Sequence, residues 1–267
     1  MSTTHSNHIV KIGLIGCGEV AQVVHIPTLL HMREFYLLTY LCDISSASLQ
    51  HCSATIPSPH KKTHSPAELC ASDDVNAVLV ANSEEYLAEH SILGLQNGKH
   101  VLVEKPLAFI QRDIRVVIEV EMQSRGRVMV GYMRRLGGLD KVLYARVRDI
   151  VGPNSFFVDQ SVTFPNKFTD FAAADTADKD ERGREMVKTA LETECGGVDV
   201  TPETTLIVLF KYPGFTVLYE SGIDNVPRLD LHIEVYGRNK TVRVQYDTPY
   251  DKGLPVMMYI IENVDGA

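Results

Sequence analysis

Lys105 ends an apolar run, Val101-Leu102-Val103, inside "HVLVEKPLAF" (100–109), and Pro106 follows it directly. Proline stops a strand and fixes the backbone, which holds the lysine at the C-terminal edge of a sheet. A lysine placed there can orient a reacting oxygen, move a proton or touch a cofactor. Unperturbed lysine stays charged near neutral pH, so proton transfer needs burial or a nearby cation. Positioning needs neither, and the residues leave both readings open. Glu104, adjacent in sequence, points to the other side of the strand and need not pair with Lys105.

A second group is the turn Gly16-Cys17-Gly18-Glu19-Val20-Ala21 in "GLIGCGEVAQ", a G-x-G-x-x-A pattern. Glycine pairs are common, so context decides, and here a strand precedes the turn and a helix from about Glu19 follows. Gly16 permits the tight turn, Gly18 lets backbone approach a diphosphate, and Ala21 lets helix and strand pack closely. The anion would sit on the helix's first N–H groups, at the positive end of its dipole. Asp43 closes the second apolar run, 25 residues after Gly18, where a carboxylate can accept from ribose hydroxyls. No Lys or Arg lies between 44 and 50, and an aspartate repels a 2′-phosphate, so the pattern favours NAD over NADP. Glu19, Val20, Asn82, Glu104 and Lys105 join Gly16, Cys17, Gly18 and Asp43 as the expected cofactor contacts. The competing reading is a doubly wound domain whose glycine turn binds nothing.

The elements that must position these residues are legible as periodicity. "IVKIGLIG" (9–16), "YLLTYLCD" (36–43), "VNAVLVAN" (75–82), "HVLVE" (100–104) and "RVMVGY" (127–132) read as strands. Helical patterns separate them, at 84–97 closed by Gly98 and at 110–125 closed by Gly126, and Ser65-Pro66 reads as an N-cap with a first-turn proline. Near-continuous apolar strands alternating with helices predict a parallel sheet covered on both faces. Beyond it the pattern changes to period two. "DLHIEVYG" (230–237) sets Leu231, Ile233 and Val235 against His232, Glu234 and Tyr236. Similar runs at 141–150, 155–163, 204–212, 215–221, 241–246 and 256–261 predict a mostly antiparallel sheet with one wet face. The acidic stretch 169–194 interrupts it, with a short helix expected around Met186, Val187, Ala190 and Leu191. The expected architecture is α/β: a Rossmann doubly wound domain over 1–132, then an α+β domain with a mostly antiparallel open sheet over 133–267.

Bulk composition bounds the function. The 267 residues are 45% hydrophobic and 22% charged, enough for a substantial core. A net charge of -8 argues against a nucleic-acid or anionic-membrane surface as the main partner. No apolar run reaches the ~18 residues of a membrane span, and "MSTTHSNH" lacks a signal-peptide pattern. Five cysteines without a C-x-x-C pair read as reduced thiols, so a cytoplasmic protein is expected. His60 and His64 are four apart, but Pro57, Pro59 and Pro66 surround them, so a loop or edge pair is expected and no metal site. Cys17 reads as a small packing residue more than a reactive thiol.

The glycine turn, "HVLVEKPLAF" and "VGYMRR" (130–135), in that order, resemble the glucose–fructose oxidoreductase/inositol dehydrogenase (Gfo/Idh/MocA) family, with the Glu-Lys-Pro triplet the most specific part. The resemblance implies a Rossmann domain followed by a sheet domain, a nicotinamide between them, and hydride transfer at a carbinol carbon of a sugar-like molecule. It implies that Lys105 lies beside the nicotinamide and the reacting hydroxyl, with Tyr132 and Arg134 in the substrate cleft; the residue type leaves Tyr132 open to donating a hydrogen bond there or to packing beneath the cleft. Departures are equally visible. Leu87 stands where family members carry a histidine, with His90 one turn further on. The Asp-x-x-x-His helix that supplies the usual acid–base partner has only "CGGVDVTPET" (195–204) as a counterpart, where Asp199 has no histidine four residues later. The chain ends at "YIIENVDGA", before the closing helices usual in the family.

The first function expected is therefore NAD-dependent hydride transfer between a nicotinamide and a hydroxyl or carbonyl carbon of a small molecule. The alternative is a relative that kept the fold for a non-redox step in a biosynthetic pathway, as a cyclase, isomerase or lyase. A non-catalytic dinucleotide sensor is a third reading, without positive sequence support. Sheet faces stripped of helices cannot stay bare in water, which leads to the expectation of a homodimer or higher oligomer through the second-domain sheet.

Overall fold

The computed structural model describes residues 9–132, 141–151, 165–193, 205–223, 230–246 and 257–262. They form two compact units, the first holding 9–132 with 165–193 and the second holding the rest.

The first unit is built on six parallel strands: β1 (Val10–Ile15), β2 (Tyr36–Cys42), β3 (Lys61–Thr63), β4 (Ala77–Val80), β5 (His100–Val103) and β6 (Val128–Val130). Their spatial order is β3-β2-β1-β4-β5-β6, so chain direction across the sheet reverses between β1 and β4. Helices α1 (Ile26–His31) and α2 (Ser46–Thr55) belong to one face, and α3 (Pro66–Ala71), α4 (Leu87–Gln96) and α5 (Gln111–Gln123) to the other. Strand alternation feeds both cores. Leu14, Leu41 and Leu79 pack with Ala21, Ile26 and Leu49 on the first face. Ile15, Val78, Val80, Val101 and Val103 pack with Leu69, Leu87, Leu95 and Val117 on the second. This is the doubly wound Rossmann arrangement that the apolar runs predict.

Local chemistry sets the helix ends. Ser45 caps α2 by accepting from the Ser48 amide at 2.9 Å, and Ser65 caps α3 by accepting from the Glu68 amide at 3.3 Å, with Pro66 in the first turn. The predicted helix 84–97 divides into a 3-10 turn, Glu84–Tyr86, and α4 proper, and Gly98 leaves it at φ 69°. The helix after the glycine turn opens with a π-helical turn, Ala21–His25, in which the Ile26 amide reaches back to the Ala21 carbonyl. Pro27 in the next turn has no N–H to continue an α-helical ladder, and the wider turn absorbs that loss.

Residues 165–193 differ from expectation in extent and in place. Helix α6 spans Ala173–Thr193, 21 residues, and groups with the first unit. Tyr86 Oη donates to Asp178 at 2.7 Å, Arg182 Nη1 meets Glu89 at 2.7 Å, and the Arg182 guanidinium lies 4.8 Å from the Tyr86 ring centre. These polar contacts fall in the helix's first half, where no hydrophobic stripe marks it, so the sequence announces only the short stretch from Met186 to Leu191.

The second unit contains β7 (Val142–Val151), β8 (Thr205–Tyr212), β9 (Phe215–Ile223), β10 (Asp230–Gly237), β11 (Lys240–Tyr246) and β12 (Met257–Glu262) in the order β12-β11-β10-β7-β9-β8. Only β7 and β9 pair in parallel among these neighbours. The register places Ala145, Val147, Val217, Ile233, Val235, Val242 and Val244 on one face and Arg146, Arg148, Glu220, His232, Glu234 and Arg243 on the other. Glu220 accepts from Arg146 Nη2 at 2.9 Å and Arg148 Nε at 3.0 Å, while Arg148 Nη1 reaches Asp230 at 3.1 Å. His232, expected on the wet face, is buried. Arg148 and Gln245 flank it across the ladder, and its Nδ1 lies 3.2 Å from Asp230 Oδ1. The strand expected at 155–163 lies outside the described residues, as do Arg134 and Asp199.

Leu87 is 0% exposed in the second-face core, so it fills space where a histidine would need a partner. Replacing it, Leu87→Ala, is expected to lower unfolding free energy by about 2–5 kcal/mol in urea titration. A loss below ~1 kcal/mol would show that the site collapses around the smaller side chain or is not packed as described.

Candidate functional site

The C-terminal edge of the parallel sheet carries the candidate residues, with the glycine turn at the switch between β1 and β4. Gly16 has φ 98°, and a Cβ there would lie 2.6 Å from the Ala81 carbonyl and the Asn82 amide. Any side chain would both strain the backbone and strike β4's exit, so the turn requires glycine. Gly18 is the reverse case, since a Cβ there would meet nothing within 4 Å. Its surroundings are open space at the start of a helix, which is what backbone approach of a diphosphate needs.

Asp43 is tied into this turn. Its Oδ2 accepts from the Cys17 amide at 2.7 Å and its Oδ1 from the Ser45 amide at 2.8 Å. Each carboxylate oxygen keeps a lone pair, so ribose hydroxyls can be accepted without breaking either bond. Cys17 therefore serves by its amide, which is spent on Asp43. Its thiol is buried, and the hydrogen bond with Cys52 and burial push it well above the ordinary thiol range. The packing role expected of it holds and a reactive thiol does not.

Asn82 closes β4. Its Nδ2 lies 2.9 Å from His90 Nδ1, and its Oδ1 is buried with no hydrogen-bond partner among the described residues. Burial holds His90 below the usual imidazole range and favours the neutral ring, which stacks on Tyr86 at 5.9 Å. The orphan Oδ1 is an acceptor for which no other described residue supplies a donor.

Glu104 and Lys105 stand at the exit of β5, with a cis peptide bond between Lys105 and Pro106. Glu104 Oε1 is 2.8 Å from His25 Nε2, and its Oε2 accepts from the Lys105 amide at 3.3 Å. The bond from His25 holds the Glu104 carboxyl below the ordinary carboxylate range. Glu104 pairs with His25 and with backbone, and the Lys105 side chain is exposed, so the two neighbours diverge as strand geometry requires. Tyr132, just past β6, is 49% exposed. Among the expected residues, Gly16, Cys17, Asp43 and Asn82 meet around one turn, and Glu104 reaches the helix that follows it.

Sequence reasoning passed over His25. A histidine nine residues after Gly16, on the helix leaving the turn, was the available signal. It also passed over residues 165–170. Gln22 exchanges two hydrogen bonds with the Asn166 backbone, at 2.9 and 3.1 Å, and Asp170 reaches the Ser45 hydroxyl and the Ala47 amide. His60 bonds Ser53 at 2.7 Å and His64 bonds the Asp43 carbonyl at 2.6 Å, so the pair serves loop and turn structure. No cluster able to hold a metal occurs among the described residues, and none of their helices is long and apolar enough to cross a membrane.

Comparison with known proteins agrees with this geometry. Residues 10–132 match the model of the oxidoreductase family with an NAD-binding Rossmann fold, Gfo/Idh/MocA. The 1-carboxy-3-chloro-3,4-dihydroxycyclohexa-1,5-diene dehydrogenase of Comamonas testosteroni is 34% identical over 153 residues, 54% of this chain and 38% of that protein. Inositol 2-dehydrogenase 3 of Saccharopolyspora erythraea is 33% identical over 128 residues, 47% of this chain and 37% of its own length. The matched region thus spans well under half of these relatives. Among solved structures, the WlbA dehydrogenase of Bordetella pertussis, in complex with NADH and UDP-GlcNAcA, superposes with a TM-score of 0.65 at 17% identity, covering 97% of this chain and 83% of that one. The myo-inositol 2-dehydrogenase of Lactobacillus plantarum gives 0.62 at 16% identity, covering 88% and 76%. At such identities the structural likeness speaks for the fold, and it extends over the second sheet. Residues 10–132, with their glycine turn and Glu-Lys-Pro element, thus match the NAD-binding Rossmann domain of the Gfo/Idh/MocA oxidoreductase family.

Proposed function

We propose that the protein is an NAD-dependent oxidoreductase transferring hydride between a nicotinamide and a hydroxyl or carbonyl carbon of a small, polyol-like molecule. The carrying observation is the cradle at the strand-order switch, where Gly16 fits only as glycine, Gly18 faces open space and Asp43 waits at the tip of β2. The relatives named above are dehydrogenases, two of them acting on inositol by name, which supports redox chemistry over the cyclase, isomerase or lyase reading.

In this reading the first-turn amides around Gly18, Glu19 and Val20 hold the diphosphate, and Asp43 accepts from ribose. Asn82 Oδ1 takes a donor from the cofactor's nicotinamide half, close to Glu104 and Lys105. Bound nicotinamide supplies the hydride acceptor or donor. The His25–Glu104 pair anchors the backbone that presents Lys105. Lys105 donates a hydrogen bond to the reacting oxygen and orients it, and Tyr132 and Arg134 contact the substrate. The carboxylate of Asp43 favours NAD over NADP. Exposed Met258 and Ile260 extend the second unit's apolar face onto edge strand β12, through the pairs Val244–Met258 and Val242–Ile260. That exposed edge, beside the buried Val242 and Val244, is the proposed contact of a homodimer.

Three outcomes test this. Gly18→Val should weaken NADH binding by about tenfold or more, read by nucleotide fluorescence, while the melting temperature stays put because the new side chain meets no neighbour. Parent protein that binds no NADH overturns the proposal. Lys105→Ala should lower turnover of a polyol panel by about 10²-fold while NADH affinity changes little; unchanged turnover removes Lys105 from the mechanism. Ile260→Asp should convert a dimer eluting at micromolar concentration into a monomer, and a monomeric parent counts against the interface.

A further inference from the structure

Residues 165–170 run along the first unit beside the tip of β2, held at several points. The Gln22 side chain brackets the Asn166 backbone, Lys167 lies 3.6 Å from Glu19, and the Phe168 ring sits 5.5 Å from His51. The segment ends on Asp170. Its Oδ1 accepts from the Ser45 hydroxyl and its Oδ2 from the Ala47 amide at 3.0 Å. Ser45 and Ala47 lie two and four residues after Asp43, on the turn that enters α2, and His64 bonds that turn through the Asp43 carbonyl and Ser46 Oγ at 3.3 Å. A ribose held by Asp43 directs its 2′ substituent toward this turn. A hydroxyl and a first-turn amide are the donors an added phosphate would use there.

We propose that Asp170 determines cofactor choice, its carboxylate occupying the donors that a 2′-phosphate would require. This rests on the cofactor reading above. The turn then presents two carboxylates, Asp43 from the strand tip and Asp170 from a segment 125 residues beyond Ser45. A 2′-hydroxyl meets Asp43 as a donor and is accepted. A 2′-phosphate meets two like charges with the Ser45 and Ala47 donors already engaged, and is rejected. The selection is made by a side chain outside the strand–turn–helix that usually carries it, so residues 44–50, which lack Lys and Arg, account for only part of it.

The test compares NADH and NADPH binding by fluorescence titration for the parent protein, Asp170→Asn and Asp170→Ala. Asp170 is exposed and its segment keeps the Asn166 and Phe168 anchors, so the variants should retain the parent's melting temperature. The parent is expected to favour NADH by about tenfold or more, and both variants to narrow the NADPH-to-NADH ratio of dissociation constants by about tenfold. Asp170→Lys should move the ratio further in the same direction. An unchanged ratio with NADH binding intact overturns the role of Asp170 and leaves the cofactor reading standing. Failure of the parent to bind NADH overturns both.

Discussion

The closeness of the β1 exit to the β4 exit is the constraint on which the site depends. With φ at 98° and the Ala81 carbonyl where a Cβ would be, Gly16 lets the turn drop onto the neighbouring strand tip. Once there, the Cys17 amide reaches Asp43 on β2, and the helix leaving the turn carries His25 to Glu104 on β5. The tips of β2, β1, β4 and β5 are thus joined across the sheet edge by one turn and two carboxylates. Open space at Gly18 is the other side of the same geometry, because the backbone that moves inward at Gly16 leaves room outside it.

The first 132 residues were legible because buried parallel strands are written as continuous apolar runs, and glycine, serine and proline punctuate them. Gly16, Gly18 and Asp43 could be named from spacing alone, since strand, turn and helix fix their relative positions. What stayed hidden depends on single polar contacts between distant residues. Glu104 with His25 and Ser45 with Asp170 are separated by 79 and 125 positions, and no period announces them. Helix α6 escaped for the same reason. It docks through Tyr86–Asp178 and Arg182–Glu89, so its acidic sequence reads as solvated when part of that charge is structural. The burial of His232 shows the limit of binary patterning, since alternation assigns to water a polar residue that is buried beside Asp230.

The second unit separates its two tasks by face. Apolar residues from four adjacent strands make one side, while Arg146, Arg148, Glu220 and Asp230 knit the other. The arginines beside Glu220 hold its carboxyl below the ordinary range. Partly exposed pairs of this kind each contribute about 0–1 kcal/mol, so their weight lies in register more than in stability. A slip of one residue would set Val147 among the carboxylates and Arg146 among the valines, which the sheet cannot accommodate.

Because 165–193 returns to the first unit, the central strand of the second sheet is made well before the strands that flank it. On the ribosome β7 emerges early, whereas its partners β9 and β10 begin only at Phe215 and Asp230. For that interval neither β9 nor β10 is available to pair with it. Charges spaced along a strand's middle, as Arg146 and Arg148 are, discourage mispairing of a strand that awaits its partners. The same two charges that later fix register thus protect the strand while it waits for its neighbours.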